Sequence, residues 1–296
     1  MLIISIIVVA AFILLFLILN TMAAIVTKGN RKTLEEGYER QKSRYDTTYY
    51  DVLEKTDYVI KGYMGYKIHV QFVKNSEPTD KYMILTHGYT DNRFGTLKYA
   101  WIYLELGFNC IIYDLRGHGL NRRTHTTYGV RESLDLCNLI KDAYERYPDI
   151  RVLGLHGESL GAATSLTSLK HDPKIDFIVE DCGFSNIEAV FREASSKIPQ
   201  FIITLTGLGL ALRYRLPYFR MRPIDALRGN KKPILFMHGQ VDTLIRPHHA
   251  EEMFAVTEGP KDIHFFPEGT HAHSVLTARE EYKEYVRKFL TEIGII

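Results

Sequence analysis

The sequence predicts an α/β protein: a mostly parallel, doubly wound sheet with helices on both faces, interrupted by a short helical cap and preceded by one transmembrane helix. Three observations lead there. From Tyr82 onward, short apolar runs alternate with longer amphipathic segments, the pattern of a parallel sheet whose crossovers are helices. One of those runs, Arg151 to His156, feeds Gly157-Glu158-Ser159-Leu160-Gly161 and then the helix-like segment Ala162 to Lys170. No charged residue occurs from Leu2 to Val26.

The first element is that uncharged segment. Leu2 to Leu19 is apolar apart from Ser5, which matches the ~20 residues a bilayer-spanning helix needs. A secretory signal is the rival reading, with Met22-Ala23-Ala24 as its cleavage region. Such a signal wants a basic start and a shorter apolar core of about 7–15 residues, and the start here has no Lys or Arg, so a retained anchor is preferred. A buried soluble helix is the third reading, and the unbroken apolar length argues against it. Lys28, Arg31, Lys32, Arg40, Lys42 and Arg44 all follow the span, so the positive-inside rule places the rest of the chain in the cytoplasm.

Thr33-Leu34-Glu35-Glu36 has the form of a capping box and opens a charged helical linker. Leu34, Tyr38, Tyr45 and Tyr49 fall near one helical face, a stripe expected to pack on the domain or the membrane surface and to do no chemistry. Asp57 to Tyr63 and Tyr66 to Val73 read as a hairpin turning at Met64-Gly65. The parallel strands are expected at Tyr82 to Thr86, Asn109 to Tyr113, Arg151 to His156, Phe177 to Asp181, Pro233 to His238 and Asp262 to Phe266. Between Asp181 and Pro233 the chain is far longer than one helix with loops of about 2–6 residues, which implies an insertion. Its middle, Phe201 to Leu212, is strongly apolar and flanked by Arg213, Arg215, Arg220 and Arg222. That segment suits a roof over an apolar pocket, a helix lying on the bilayer, or an ordinary packed helix. The resulting division is an anchor at 1–27, a charged helical linker at 28–56 and an α/β domain at 57–296, with the cap at about 184–228.

Gly157 and Gly161 permit a sharp turn beside a strained serine whose hydroxyl projects, which makes Ser159 the candidate nucleophile. Asp242 stands just past the strand Pro233 to Gly239, and His271 follows the strand ending at Phe266. Each lies after a strand end, where ligands of open α/β sheets bind, and the chain order Ser, Asp, His is that of an α/β-hydrolase triad.

Five pieces in order resemble that superfamily: Leu85-Thr-His-Gly-Tyr89, Tyr113-Asp-Leu-Arg-Gly-His-Gly119, the serine turn, Met237-His-Gly-Gln-Val-Asp242 with Pro247, and Gly269-Thr-His271. The sequence resembles the esterase, monoacylglycerol lipase and serine aminopeptidase-like branch. The resemblance implies the α/β-hydrolase fold, with the hairpin preceding the parallel sheet and a lid at the insertion. It favours His271 over His273 as the base that a weakly nucleophilic serine needs, with His273 as a pocket or loop residue. It also favours Asp242 over Asp181 as the acid that orients that base. The oxyanion donors are then the main-chain N–H groups of Tyr89 and Leu160, their side chains mattering little, and His87 is a buried hydrogen-bonding partner. Asp114 and Arg116 are expected to pair and pin their loop, and Glu158 to point away at the start of the helix.

At 296 residues, 46% of them hydrophobic, the chain suits one α/β domain of up to ~250 residues beside its anchor. A net charge of +2 without a basic-aromatic cluster gives no nucleic-acid footprint. Cys110, Cys137 and Cys182 are widely spaced and odd in number, so neither a disulfide framework nor a zinc site is suggested. His248 and His249, with Glu251 and Glu252, lack a third well-placed ligand, so no metal is expected. The expected function is a membrane-anchored serine hydrolase that cleaves lipophilic or acyl carboxylic esters through an acyl-enzyme and needs no cofactor. The same triad suits a thioesterase, peptidase or acyltransferase. The alternative of another class is a non-catalytic membrane-tethered binding protein of the same fold.

Overall fold

The computed structural model describes residues 2–194 and 198–296. Residue 1 of the expected anchor and 195–197 of the expected cap lie outside the described residues. Three helices come first: α1 (Leu2–Thr27), α2 (Leu34–Lys42) and α3 (Thr48–Asp51). The hairpin follows as β1 (Lys55–Lys61) and β2 (Lys67–Val73), then β3 (Lys81–Thr86), α4 (Leu97–Glu105), β4 (Asn109–Tyr113) and α5 (Val130–Arg146). Next come β5 (Val152–Glu158), α6 (Leu160–Ser168), β6 (Phe177–Asp181), α7 (Ile187–Ala194) and α8 (Gln200–Tyr214). The chain closes with β7 (Ile234–Gly239), α9 (His248–Val256), β8 (Lys261–Phe266), α10 (Ser274–Thr277) and α11 (Arg279–Glu292).

Among the described residues the strands form one eight-stranded sheet in the order β1-β2-β4-β3-β5-β6-β7-β8. β2 runs antiparallel to both neighbours, and every pair from β4 to β8 is parallel. The expected strands are therefore present, within two residues at their ends. The continuous apolar runs have a physical cause: β4, β6 and β7 are buried along their whole length, as strands covered on both faces must be. Alternate side chains feed two cores. Ile84 and Leu155 join Leu136, Leu139 and Leu166 on one face, whereas Met83 and Leu85 join Ile102, Val286 and Leu290 on the other. β8 lies at the edge and is half-buried over most of its length.

The chain leaves β4 on one side of β3 and returns as β5 on the other. That reversal opens a crevice at the carboxyl ends of the strands. Leu2 to Ile18 of α1 expose most of their large apolar side chains, while Leu19, Ala23 and Thr27 are buried. These three recur at i, i+4 and i+8, one helical face, which meets α8 at Leu19 and accepts from Thr126 N at Thr27 O, 2.9 Å away. Arg213 Nη1 in α8 donates to Asn20 Oδ1 at 3.0 Å, which fixes the crossing.

The capping box forms as expected, with Thr33 N donating to Glu36 Oε2 at 2.7 Å. The aromatic stripe does not run along one helix, however. α2 ends at Lys42, and Asp46 Oδ1 then accepts from Thr48 N at 2.9 Å to start α3. This local side-chain bond competes with helix continuation, so Tyr45 and Tyr49 reach the core from the connecting turn and from α3.

Candidate active site

β5 carries the chain into Ser159, whose φ of 54° and ψ of −112° lie outside the ordinary regions for a residue with a Cβ. A Cβ on Gly157 would stand 2.3 Å from Gly161 O, and one on Gly161 would stand 2.1 Å from Thr86 O. Both glycines are therefore sterically required, and they let α6 start directly against the end of β3. Ser159 N donates to Asp181 O at 2.8 Å, which ties the turn to the neighbouring strand end.

The structure brings Ser159, His271 and Asp242 into one chain of hydrogen bonds. His271 Nε2 lies 3.0 Å from Ser159 Oγ, and His271 Nδ1 lies 2.7 Å from Asp242 Oδ2. An ionised Asp242 accepts from Nδ1–H, leaving Nε2 as the acceptor for the serine proton. Asp242 Oδ1 accepts from the N–H groups of Leu244 and Ile245 at 2.8 and 3.0 Å. Burial works to raise its pKa, but His238 and His271 beside it outweigh burial and hold the carboxyl well below the usual carboxylate range. His238, buried 3.6 Å from Asp242 Oδ2 and 2.8 Å from Ile245 O, is a partner that sequence reasoning missed. Its one signal was its place at the end of β7, four residues ahead of Asp242.

The main-chain N–H groups of Tyr89 and Leu160 have no intramolecular acceptor among the described residues. Gly88 brings the first close to the serine: a Cβ there would lie 3.6 Å from Ser159 Cβ. Contrary to expectation, the Tyr89 side chain matters. Its hydroxyl donates to Val26 O at 3.1 Å and accepts from Gly29 N at 2.7 Å, so this loop is tied to the end of α1.

Other residues fall differently from expectation. Asp114 pairs with Arg93 at 2.8 Å, and Arg116 with Asp135 at 2.6 Å, because the loop curls away from its own arginine. Glu158 does not point away at a helix start. As the last residue of β5 it turns back to Lys98, 2.6 Å distant, and lines the site. Burial favours its neutral form, but Lys98 outweighs that and keeps its pKa low. Lys98 also donates to Ala272 O at 2.7 Å, fixing the loop just after His271. Asp181 is completely buried and accepts from the Tyr99 hydroxyl at 2.6 Å, while His271 has turned to Asp242. His273 contacts Thr270 Oγ1 at 3.1 Å, and His87 is buried against Gly88 O at 2.7 Å.

The cysteines are free. A third potential ligand does join His248 and His249, namely Glu193 from α7. That carboxylate lies 2.9 Å from His248 Nε2 and 3.7 Å from Arg246 Nε.

Two cavities meet at Ser159. One, of about 340 Å³, is apolar, walled by Phe184, Ile187, Val190 and Phe191 from the cap and by Ile25 and Val26 from α1. The other, of about 280 Å³, is polar and contains Lys98, Glu158, His271 and His273, with Arg40 from α2 and Arg44 from the turn after it. Both have the scale of small-molecule sites.

A model of the prolyl oligopeptidase family matches residues 94–293. The uncharacterized protein YqkD of Bacillus subtilis (strain 168) is 30% identical over 251 residues, 83% of this chain and 82% of that protein. Among solved structures, the esterase Pf2001 of Pyrococcus furiosus aligns with a TM-score of 0.66 at 22% identity, covering 84% of this chain and 96% of that one. An acylaminoacyl peptidase of Pyrococcus horikoshii aligns with a TM-score of 0.65 at 14% identity, covering 81% of this chain and 41% of that one. At such identities the structural likeness is one of fold.

Proposed function

The chain belongs to the prolyl oligopeptidase family and is a serine hydrolase of the α/β-hydrolase superfamily, and from that premise we propose that it is membrane-anchored and cleaves lipophilic acyl esters. The observation that carries this reading is the apolar cavity opening onto Ser159, walled by the cap and by the last turn of α1. A chain of methylenes is stabilised there by about 0.8 kcal/mol for each one buried.

In this reading Ser159 Oγ attacks the ester carbonyl as its proton passes to His271 Nε2. Asp242 stabilises the imidazolium that forms. The N–H groups of Tyr89 and Leu160 receive the developing oxyanion. His271 then protonates the leaving alkoxide, and the acyl group stays on Ser159. A water molecule deprotonated by His271 attacks the acyl-enzyme, and the returning proton frees the serine.

Membrane anchoring is supported by the exposed apolar length of α1. A retained helix is favoured over a cleaved signal because Leu19, ahead of Met22-Ala23-Ala24, is buried against Gly209 of α8. Removal of α1 would open the site. The basic residues after α1 favour a cytoplasmic catalytic domain. A peptidase uses the same atoms, and the family match favours it as the second reading.

The test is turnover of p-nitrophenyl esters of increasing acyl length, against matched acyl anilides, by the full chain in neutral detergent. The reading expects ester turnover that rises with chain length, prefers ester to anilide, and falls by roughly 10⁴-fold or more in Ser159→Ala. A preference for the anilides would move the assignment to the peptidase. Unchanged turnover in Ser159→Ala would end both. Resistance of the full chain to alkaline carbonate extraction tests the anchor, and release of a shortened soluble form would make α1 a signal.

A further inference from the structure

The polar cavity is not accounted for by the hydrolytic step alone. Five charged side chains line it: Arg40, Arg44 and Lys98 against Asp91 and Glu158. Lys98 is paired with Glu158 at 2.6 Å and Arg40 with Asp91 at 3.4 Å. Arg44 has no carboxylate partner among the described residues, so the lining holds one cation in excess. Arg40 and Arg44 line the same cavity, and an anion between them offsets their like charges. Their field crosses the cavity: His273 is held below the ordinary histidine value, first by burial and then by Arg44 and Lys98.

α2, which holds Arg40, is seated by built contacts. Asn92 Nδ2 donates to Thr33 O at 2.7 Å, and a Cβ on Gly37 would stand 2.1 Å from Asn92 Nδ2. Tyr38 packs its ring 5.0 Å from that of Phe94. Arg44 follows two residues after α2, its N–H held by Gln41 O at 3.0 Å. The linker thus delivers two arginines to the site.

The two cavities also differ in which end of a substrate they suit. His271, which must protonate the leaving group, lines the polar cavity and not the apolar one. The acyl group therefore belongs to the apolar side and the leaving group to the polar side. We propose that the polar cavity binds an anionic group, carboxylate or phosphate, carried on the leaving group of the acyl substrate, with Arg44 as the principal contact and Arg40 as its second. The substrate is then an amphiphile: a hydrocarbon acyl chain on one side of Ser159 and an anion on the other. This rests on the acyl-hydrolase reading above and adds the headgroup to it.

The test uses the full chain in neutral detergent and three oleoyl esters: 1-oleoylglycerol, 1-oleoylglycerol 3-phosphate and the oleoyl ester of glycolate. The expected result is a higher kcat/KM for at least one anionic ester than for the neutral one, carried mainly by KM. The preferred anion identifies phosphate or carboxylate. In Arg44→Gln that preference falls about tenfold, the scale of one charge-assisted hydrogen bond, and in Arg44→Glu it reverses. Lys42→Gln, an exposed change on α2 outside the cavity, leaves the preference intact. Equal use of neutral and anionic esters, or a preference indifferent to Arg44, overturns the proposal while leaving ester hydrolysis standing. Equilibrium binding of 1-oleoylglycerol 3-phosphate and oleoyl glycolate to the Ser159→Ala chain decides the matter without turnover. Binding of either that weakens in Arg44→Glu sustains the anion site, and binding of both that ignores Arg44 removes it.

Discussion

Gly209 of α8 lies against the carbonyl of Leu19 in α1 so closely that a Cβ at position 209 would stand 2.3 Å from that oxygen. The cap helix and the long apolar helix therefore meet almost backbone to backbone. Leu19 is buried by this contact, and the last turn of α1 supplies Ile25 and Val26 to the apolar cavity. One packing interface thus couples the helix that reads as an anchor to the wall of the proposed acyl site.

Gly209→Val is expected to part the two helices, since no flexible side chain tip can yield in place of a carbonyl. Overpacking of this kind costs roughly 1–3 kcal/mol. The full chain in detergent should inactivate at a lower temperature, and kcat/KM should fall more for octanoyl than for acetyl p-nitrophenyl ester. An equal loss on both would mean that the contact holds the fold without shaping the cavity.

Asp242→Asn removes the charge that stabilises the His271 imidazolium and allows the wrong tautomer. Turnover should fall by roughly 10⁴-fold with the melting temperature little changed. Asp181→Asn should remain within about tenfold of the parent, because the Asp181 carboxylate is engaged by Tyr99 rather than His271. A reversed pair of results would transfer the acid's role to Asp181.

Glu180 is completely buried, and burial pushes its carboxyl up to about 8. The unfolded chain releases this proton near the ordinary carboxyl value, while the folded chain keeps it until about pH 8. The folded state therefore binds more protons across that window, and stability falls as pH rises through it, by at most about 1.4 kcal/mol per pH unit for one proton. Glu180→Gln should flatten this slope, so that its melting temperature overtakes the parent's as pH is raised from 5 to 9. Parallel melting curves would show that another group takes up the proton.

Asp114 is fully buried and accepts from Arg93 Nη2 at 2.8 Å, Arg93 N at 2.9 Å and Leu120 N at 3.0 Å. Arg93→Ala leaves a buried carboxylate without its cation and should cost roughly 3–5 kcal/mol. Denaturant unfolding checks this, and a loss below about 1 kcal/mol would show that the N–H groups of Arg93 and Leu120 suffice to hold the buried carboxylate.

Much of the architecture was legible because its signals are local. A strand covered on both faces must be apolar throughout, so β3 to β7 announced themselves as runs. A turn that forces a serine to positive φ must have glycines around it, so the elbow stood out as Gly157 and Gly161. The ion pairs behaved otherwise: Asp114 and Arg116 are two residues apart, yet each is partnered from a distant segment. Nearness along a chain sets no direction for a side chain once a loop curls. The same holds for Glu158, placed by its hydrogen bonds and not by its position before a helix.

The sequence alone determined the order of strands and helices, the serine turn, and which Asp and His follow strand ends, because backbone sterics and burial impose those patterns residue by residue. Tertiary structure alone decided that His238 joins Asp242, that Lys98 braces Glu158 and the loop after His271, that α1 walls one cavity and that α2 delivers Arg40 to the other. Apart from His238 and Asp242, which one turn brings together, those relationships join segments far apart in the chain. They are set by how helices close over a twisted sheet, which no single stretch of residues encodes.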